Sequence, residues 1–458
     1  MPAEKLSELK MMDNTWISID QVWDAYRECR KNKKDSPDVI EFEIGLIENI
    51  VQLWHDINEK HYSISKSITF IVGRPKAREV FAGNFRDRIV HHLIMSKLEP
   101  IFESIFISNS FSCRKGKGVL YGIETVNKAI QALSQDYTKP VYVGKFDLKG
   151  FFMSIDKVIL ATALKTLIKE RYHEPDIDKL QYLVRKVIEH NPQSEGNYTR
   201  KGPDSDWDKL SSPDKSLFTC KAGRGLPIGN LTSQCFANFC LNSFDHEMCK
   251  LFKGYYFRYV DDFIVLASTK EEITRQVKYI ERYLSRKLHL TLHPKKRYIQ
   301  DYKKGFTFIG YHIKKGKVRL GNRALGHLYD AIHRFNALTP TPELAEEFAT
   351  TLNSYFGFLK YSSDRKMRLK VWGGIDKKWK GIIHIDHPTI SKVWIPKNMR
   401  ALYIRRAEYL EYLKGKRPSM PEPPRTKRGT EKSWSVKEYK EKKPIKHNHR
   451  PPSSLPIV

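Results

Sequence analysis

The chain has 458 residues, 40% hydrophobic and 29% charged, enough apolar material for a large core divided into two or three subdomains. Lysine and arginine number 81 against 52 acidic residues, a net charge of +29 spread along the chain; a field of that size attracts polyanions, with nucleic acid the first candidate and a merely soluble basic protein the alternative. Several classes are excluded: Cys29, Cys113, Cys220, Cys235, Cys240 and Cys249 form no C-x-x-C pair or zinc-spaced cluster, no apolar run approaches the ~20 residues that span a bilayer, and the charged opening MPAEKLSELK lacks a signal core, so the expectation is a cytoplasmic protein in a reducing compartment.

In chain order, residues 38–57 carry Phe42, Leu46, Ile50, Trp54 and Ile57 at helical steps and predict one amphipathic helix. SITFIVGRP is strand-like, and the segment after it turns helical beyond Asn84. His91 and His92 sit in that helix, where neighbouring positions diverge, so packing or surface roles are expected rather than a shared metal. VYVGKFDL alternates as a strand should. Residues 191–225 are polar and rich in Gly, Pro, Ser and Lys, and predict a long loop or insertion within a domain.

LTSQCFANFCLNSFDHEM then predicts a single helix, with Phe236, Cys240, Phe244 and Met248 on one face. YYFRYVDDFIVLAS reads as strand, tight turn, strand. Residues 271–287 predict a charged amphipathic helix, and LHLTLHP and FTFIGYHI two further strands. Beyond Leu320 the pattern is helical; Thr341 and Pro342 start a helix whose buried face should carry Leu344, Phe348, Leu352, Tyr355 and Leu359. From Lys414 the chain turns basic and proline-rich, a composition that predicts disorder in isolation.

Three carboxylates stand out. Asp261 and Asp262 occupy the tip of a strand–turn–strand, and Asp147 ends an earlier strand. If the hairpin pairs beside that strand, all three converge, and such crowding of negative charge is unfavourable without cations. Phosphoryl transfer to a nucleotide uses two divalent ions about 4 Å apart on a few hard oxygen ligands, which this arrangement would supply. A solvated surface turn is the competing reading, and the apolar aromatic strands on both sides of the pair argue against it.

The surrounding segments resemble reverse transcriptases. Phe146 to Phe152 (FDLKGFF) looks like the first catalytic motif of that family, Tyr259 to Asp262 (YVDD) like the second, and Leu226 to Gln234 (LPIGNLTSQ) like the loop-to-helix motif between them, in the family's order. RPKAREVFAGNFRDRIVHH and NSFSCRKGKG resemble the fingers motifs, and HPKKRYI with FTFIGYHI the last palm elements; the resemblance covers about residues 38–365. It implies an α+β, right-hand polymerase fold with fingers, an antiparallel-sheet palm and a helical thumb. The expected division is 1–70 N-terminal helical segment, 71–140 fingers, 141–319 palm with the insertion near 191–225, 320–413 thumb and 414–458 tail. IGNLTSQ preceded by KSLF and a polar insertion, the DRIVHH segment and LNSYFGFLKY are similar to the enzymes of diversity-generating retroelements. Those enzymes copy a template-repeat RNA into cDNA with errors concentrated at adenines.

The resemblance also implies site roles. Asp147, Asp261 and Asp262 would hold two magnesium ions, with manganese as a substitute, and the Leu148 carbonyl would complete one shell. Phe152 would be the steric gate against a ribose 2′-hydroxyl, with Phe151 beside it in the nucleotide site. Arg78 would grip the triphosphate, with Lys76 or Arg74 as a second phosphate contact. Gly229 would let the backbone approach the nucleotide, and Ile228, where most of the family has Gln, would loosen checking of the nascent pair. Lys296, or Lys295 one residue away, would protonate pyrophosphate; Tyr259 would support the primer end; Arg114 would touch template or shape the fingers.

The implied partners are an RNA template, the RNA–DNA hybrid tracked by a basic thumb face, dNTPs, and a small basic accessory protein, with no membrane. The tail would grip RNA or an acidic patch. An anti-phage defence reverse transcriptase is the nearest alternative. A group II intron-like maturase or RNA-binding scaffold is a further one, the scaffold weakened by the intact aspartates and the intron protein by the lack of an HNH-like segment after the thumb; with no RNase H pattern there, template removal would fall to host enzymes.

Overall fold

A computed structural model describes residues 16–31, 36–73, 76–362, 365–386 and 389–396. The N-terminal part is helical: α1 (Ile19–Arg30), opened by a capping box at Ser18, α2 (Pro37–Ile44) and α3 (Leu46–Asn58). The single helix expected over 38–57 is thus two. Gly45 breaks it, and the Asn49 side chain donates to the Phe42 carbonyl at 2.9 Å, occupying an acceptor the longer helix would have used.

A small sheet follows. β1 (Ser67–Val72) pairs antiparallel with β2 (Arg78–Ala82) and parallel with β4 (Tyr198–Arg200). The strand β2 was not foreseen, and the boundary expected at residue 70 falls inside β1. The polar segment 191–225 is irregular as predicted, yet it supplies β4 and three short 3-10 turns. It is fastened to β2 by Glu79, whose buried carboxylate accepts from the Trp207 indole (2.9 Å), the Ser216 hydroxyl (2.7 Å) and the Leu217 amide (2.6 Å). α4 (Phe85–Ile105) starts at Asn84, whose side chain accepts from the Arg86 amide, and α5 (Val119–Leu133) follows it.

At the centre lies a four-stranded antiparallel sheet in the order β5–β6–β3–β7: β3 (Tyr142–Asp147), β5 (Tyr256–Tyr259), β6 (Asp262–Ala267) and β7 (Tyr298–Asp301). α6 (Phe151–Ser154), α7 (Lys157–Arg171), α8 (Ile177–Glu189), α9 (Leu231–Cys240), α10 (Asn242–Leu251) and α11 (Lys270–Leu288) accompany it, and one apolar core runs from the N-terminal helices into the sheet. The helix expected through 231–248 is divided by a non-helical turn at Leu241, so Cys235 and Cys240 lie on α9 and Cys249 on α10. Phe236, Cys240, Phe244 and Met248 are all buried as expected.

LHLTLHP is not a strand. His289 adopts a left-handed conformation (φ +55°) that stops α11, and only Leu292 forms a bridge, to Leu148. FTFIGYHI is likewise two strands, β8 (Phe306–Phe308) and β9 (Tyr311–Lys314), because Ile309 and Gly310 turn the chain back with positive φ; β10 (Lys317–Leu320) completes this second antiparallel sheet.

The helical region holds α12 (Asn322–Ala337), α13 (Pro342–Leu359), α14 (Arg365–Gly373) and α15 (Lys377–Lys380), closed by a small hairpin of β11 (His384–Ile385) and β12 (Val393–Trp394). Thr341 caps α13 as predicted. Phe348, Leu352 and Leu359 are buried, whereas Leu344 and Tyr355 are half-exposed and Ala345, Ala349 and Phe356 complete the buried face. No helix among the described residues is long and apolar enough to cross a membrane. The N-terminal decapeptide, Arg74 and the tail from Lys414 lie outside the described residues.

Candidate active site

The sheet register decides where the carboxylates go. β3 and β6 pair with Asp147 opposite Asp262, and β5 and β6 pair with Tyr259 opposite Asp262, leaving Val260 and Asp261 as the hairpin turn. Opposed residues of an antiparallel ladder lie about 5 Å apart, so Asp147 and the turn share one sheet edge. The Leu148 amide donates to the Asp261 carbonyl (3.3 Å), tying the two segments beyond the last ladder pair. On its other side Asp147 is pinned by the irregular 289–293 segment, where the His293 amide donates to the Asp147 carbonyl (2.7 Å) and the Lys149 amide to the Thr291 carbonyl (2.9 Å).

Each of the two paired carboxylates is held by a lysine. Lys296 lies 3.1 and 3.2 Å from the two Asp147 oxygens, and Lys145 lies 3.0 Å from Asp262 Oδ2 while donating to the Thr307 carbonyl (2.8 Å). Lys296 rather than Lys295 is therefore the residue in contact with the aspartates. Burial pushes the Asp261 carboxyl up, and the Asp147 charge adds to it. Burial likewise pushes Asp262 up to about 6, against the opposing pull of Lys145. Among the described residues no three His, Cys, Asp or Glu side chains gather tightly enough to hold an ion as they stand. The donor set nevertheless fits divalent cations. Its ligands are hard oxygens, two of them hold protons more tightly than free carboxylates, and Asp262 Oδ1 is buried without any hydrogen-bond partner.

The flanking residues separate into those that face this edge and those that do not. Lys76 and Lys296 line a cleft of about 1880 Å³ together with Asp147, Asp262, Arg323 and Tyr355. Burial lowers the Lys76 ammonium, and Arg323, Lys296 and Lys215 press in the same direction, so four cations from separate segments share one field. Arg78, at the exposed start of β2, is close enough for its charge to stabilise ionised Asp261. Tyr259 is half-buried beside the turn.

Phe152 is half-exposed and joins Ile228 in an apolar cluster around Phe81, Met153 and Leu217. Phe151, placed in the nucleotide site by its motif, is instead only 2% exposed and belongs to the core: adjacent positions of the short helix α6 point apart.

Two further site residues have their partners within the protein. The Arg114 guanidinium makes a two-pronged contact with Glu103 (2.8–3.0 Å), caps the Ile107 and Ser110 carbonyls, and its side chain is 4% exposed, which accords with the fingers-shaping alternative rather than with template contact. Gly229 is required for a close approach of protein to protein. At φ +127°, a Cβ there would lie 2.8 Å from the Phe81 carbonyl and 2.9 Å from Val80 Cγ1. The neighbouring Ile228 carbonyl accepts from the Phe81 amide (2.8 Å), so this loop docks on β2.

Sequence reasoning missed Glu79, Arg258 and Asp245. All three are fully buried in the structure; Arg258, a lone charge in the aromatic strand β5, was the one with a signal in the sequence, whereas Glu79 and Asp245 stand among other polar residues.

The model of the reverse transcriptase (RNA-dependent DNA polymerase) family matches residues 74–313, a little over half of the chain, and spans the three aspartates, the cleft lysines and the Gly229 loop. The chain belongs to the reverse transcriptase family. It is also similar to Protein YkfC of Escherichia coli K12, 24% identical over 279 residues, a match covering 54% of this chain and 65% of that protein. Among solved structures it resembles apo telomerase from Candida tropicalis lacking its C-terminal domain (TM-score 0.41, 14% identity, 60% of each chain). Telomerase from Candida albicans in complex with a telomeric RNA fragment is another (TM-score 0.39, 11% identity, 78% of this chain and 64% of that one). The reverse transcriptase match begins at Arg74 and ends at Ile313, so the N-terminal helices and the helical region beyond β10 lie outside the matched segment.

Proposed function

We propose that this reverse transcriptase is an RNA-directed DNA polymerase, with Asp147, Asp261 and Asp262 holding two magnesium ions, or manganese in their place. The observation that supports this best is the ladder pairing of Asp147 with Asp262 at one end of the sheet, with Asp261 in the adjoining turn and a buried Asp262 oxygen left unpartnered. When bound, the ions supply positive charge to the reacting phosphate oxygens and to the departing pyrophosphate. The chain's own residues do the rest. Lys76 and Arg78 bind the triphosphate, Phe152 excludes a ribose 2′-hydroxyl, and Tyr259 supports the primer end. The primer 3′-hydroxyl gives its proton to solvent as its oxygen attacks the α-phosphate, the bond to the β-phosphate breaks, and Lys296, beside Asp147, gives the departing pyrophosphate a proton that it regains from solvent. The cleft side of α12 and α13, with Arg323 and Tyr355, would track the backbone of the hybrid.

Primer extension on an RNA template with dNTPs tests this. Extension should require magnesium or manganese and be lost in Asp261→Asn. Extension without a divalent ion, or an unimpaired Asp261→Asn protein, would refute the assignment.

Within this reading we infer a retroelement enzyme that copies a template-repeat RNA with errors concentrated at adenines, assisted by a small basic accessory protein. Support comes from the IGNLTSQ segment and from Ile228, which packs in the same cluster as Phe152 and whose hydrocarbon side chain has no polar group to offer a base pair. Sequencing the cDNA from a template of even composition separates this from an accurate enzyme: errors spread evenly over all four template bases would exclude it.

A further inference from the structure

The hairpin that carries Asp261 and Asp262 is closed by a turn few sequences tolerate. Val260 sits at φ +57°, a left-handed conformation that is disfavoured for a β-branched residue. Such a conformation persists only where the surroundings over-determine it. Here the surroundings are a buried guanidinium. Arg258 Nη1 donates to the Val260 carbonyl at 2.9 Å, while Nε and Nη2 take the two oxygens of Asp245 at 2.6 and 2.5 Å. Nη2 also reaches the Asn238 carbonyl (3.2 Å), and the Tyr256 hydroxyl donates to Asp245 (2.7 Å). Arg258 and Asp245 are both 0% exposed.

We propose that Arg258 is a positioning residue for the metal-binding turn: anchored on Asp245, it holds the Val260 carbonyl and so keeps the Asp261–Asp262 turn in the strained shape that presents the two carboxylates. The inference rests on the reading that these aspartates bind the ions. Burial of an ion pair is weak support for stability, because apolar side chains of similar volume usually fill such a space at no loss. What an apolar pair lacks is the fixed fork that grips Asp245 on one side and a backbone carbonyl on the other. The anchor on α10 and the turn beyond β5 are joined through this one side chain, so a displaced guanidinium moves the aspartates.

The test is a double-mutant cycle on the full chain, with Arg258→Lys, Val260→Gly and the pair, read by manganese binding without nucleotide (by electron paramagnetic resonance) and by kcat and KM in primer extension. Arg258→Lys should weaken manganese binding about 10-fold and lower kcat about 100-fold, with the primer–template KM little changed. In the Val260→Gly background the turn no longer needs holding, so the same arginine change should cost far less in both readouts. Equal losses in the two backgrounds, or unaltered manganese affinity in Arg258→Lys, would overturn the proposal. If Arg258→Lys does not fold, Val260→Gly alone decides: relief of strain predicts a higher melting temperature, and a lower one counts against it. Manganese binding is read without turnover, so a chain that binds the ion in this pattern yet fails to extend primers would sink the polymerase reading and leave this one standing.

Discussion

Replacing Asp262 by Asn should stabilise the ion-free protein while abolishing its activity. The ionised carboxylate is disfavoured in the fold: moving its pKa from 3.8 to about 6 corresponds to about 3 kcal/mol against the charged form. The pull of Lys145 on the charged form is already contained in that shift, so a neutral amide of the same shape should gain up to about 3 kcal/mol. The sign follows from proton binding. With the folded pKa above the unfolded one, the native state holds the extra proton between about pH 4 and 6, and stability falls as pH rises through that window.

Melting in EDTA should therefore show the Asn variant a few degrees above the parent at pH 8, with the difference shrinking towards pH 4. Added manganese should raise the parent's melting temperature far more than the variant's. A variant no more stable at pH 8, or a gain identical at pH 8 and pH 4, would show that the electrostatic account of this edge is wrong.

Other expectations are as direct. Gly229→Ala places a methyl against the Phe81 carbonyl at positive φ, so it should cost about 2–4 kcal/mol and lower the melting temperature whether or not nucleotide is present; a variant as stable as the parent but with a raised dNTP KM would return this glycine to the nucleotide site. Phe152→Val should admit ribonucleotides, reducing discrimination against them by roughly 10–100-fold in single-nucleotide incorporation, and unchanged selectivity would remove Phe152 from the gate. Ile228→Gln should lower misincorporation opposite template adenine, measured by sequencing the cDNA; error rates equal to the parent's would assign Ile228 to packing alone.

The convergence of the aspartates was legible because VYVGKFDL reads as a strand, apolar aromatic runs flank the Asp261–Asp262 pair on both sides, and a two-residue turn leaves little freedom of register. The strands β3, β5 and β6, the α4 and α13 starts and the amphipathic α11 were legible for similar local reasons, whereas β7, with the short polar sequence YIQD, was not. Most of what escaped was set by contacts distant in sequence. Nothing near Leu241 marks it as the point where a long apolar pattern breaks, whereas at Gly45 the glycine was itself a local signal, outweighed by the apolar spacing that runs across it. Lys296 and Lys295 could not be separated without the course of the 289–293 segment, which leaves helix α11 at His289 and stays irregular. Arg114 and Arg258 are both arginines beside site motifs, and only tertiary structure reveals that each is consumed by a buried carboxylate or backbone carbonyls. Gly229 illustrates a different limit: its conformation was foreseeable, but the surface it must approach was not.

The central position of β3 restricts how this protein can vary. Asp147 sits between β6 on one flank and the 289–293 segment on the other, and side chains along a strand alternate faces. Adding or deleting a single codon within β3, or within the two-residue turn, would swing a carboxylate to the opposite face and silence the enzyme outright. The part of the 191–225 excursion between β4 and Trp207, which donates to Glu79, carries no such restriction. Length differences among close variants should therefore accumulate there, making that stretch the natural place to graft a tag or reporter.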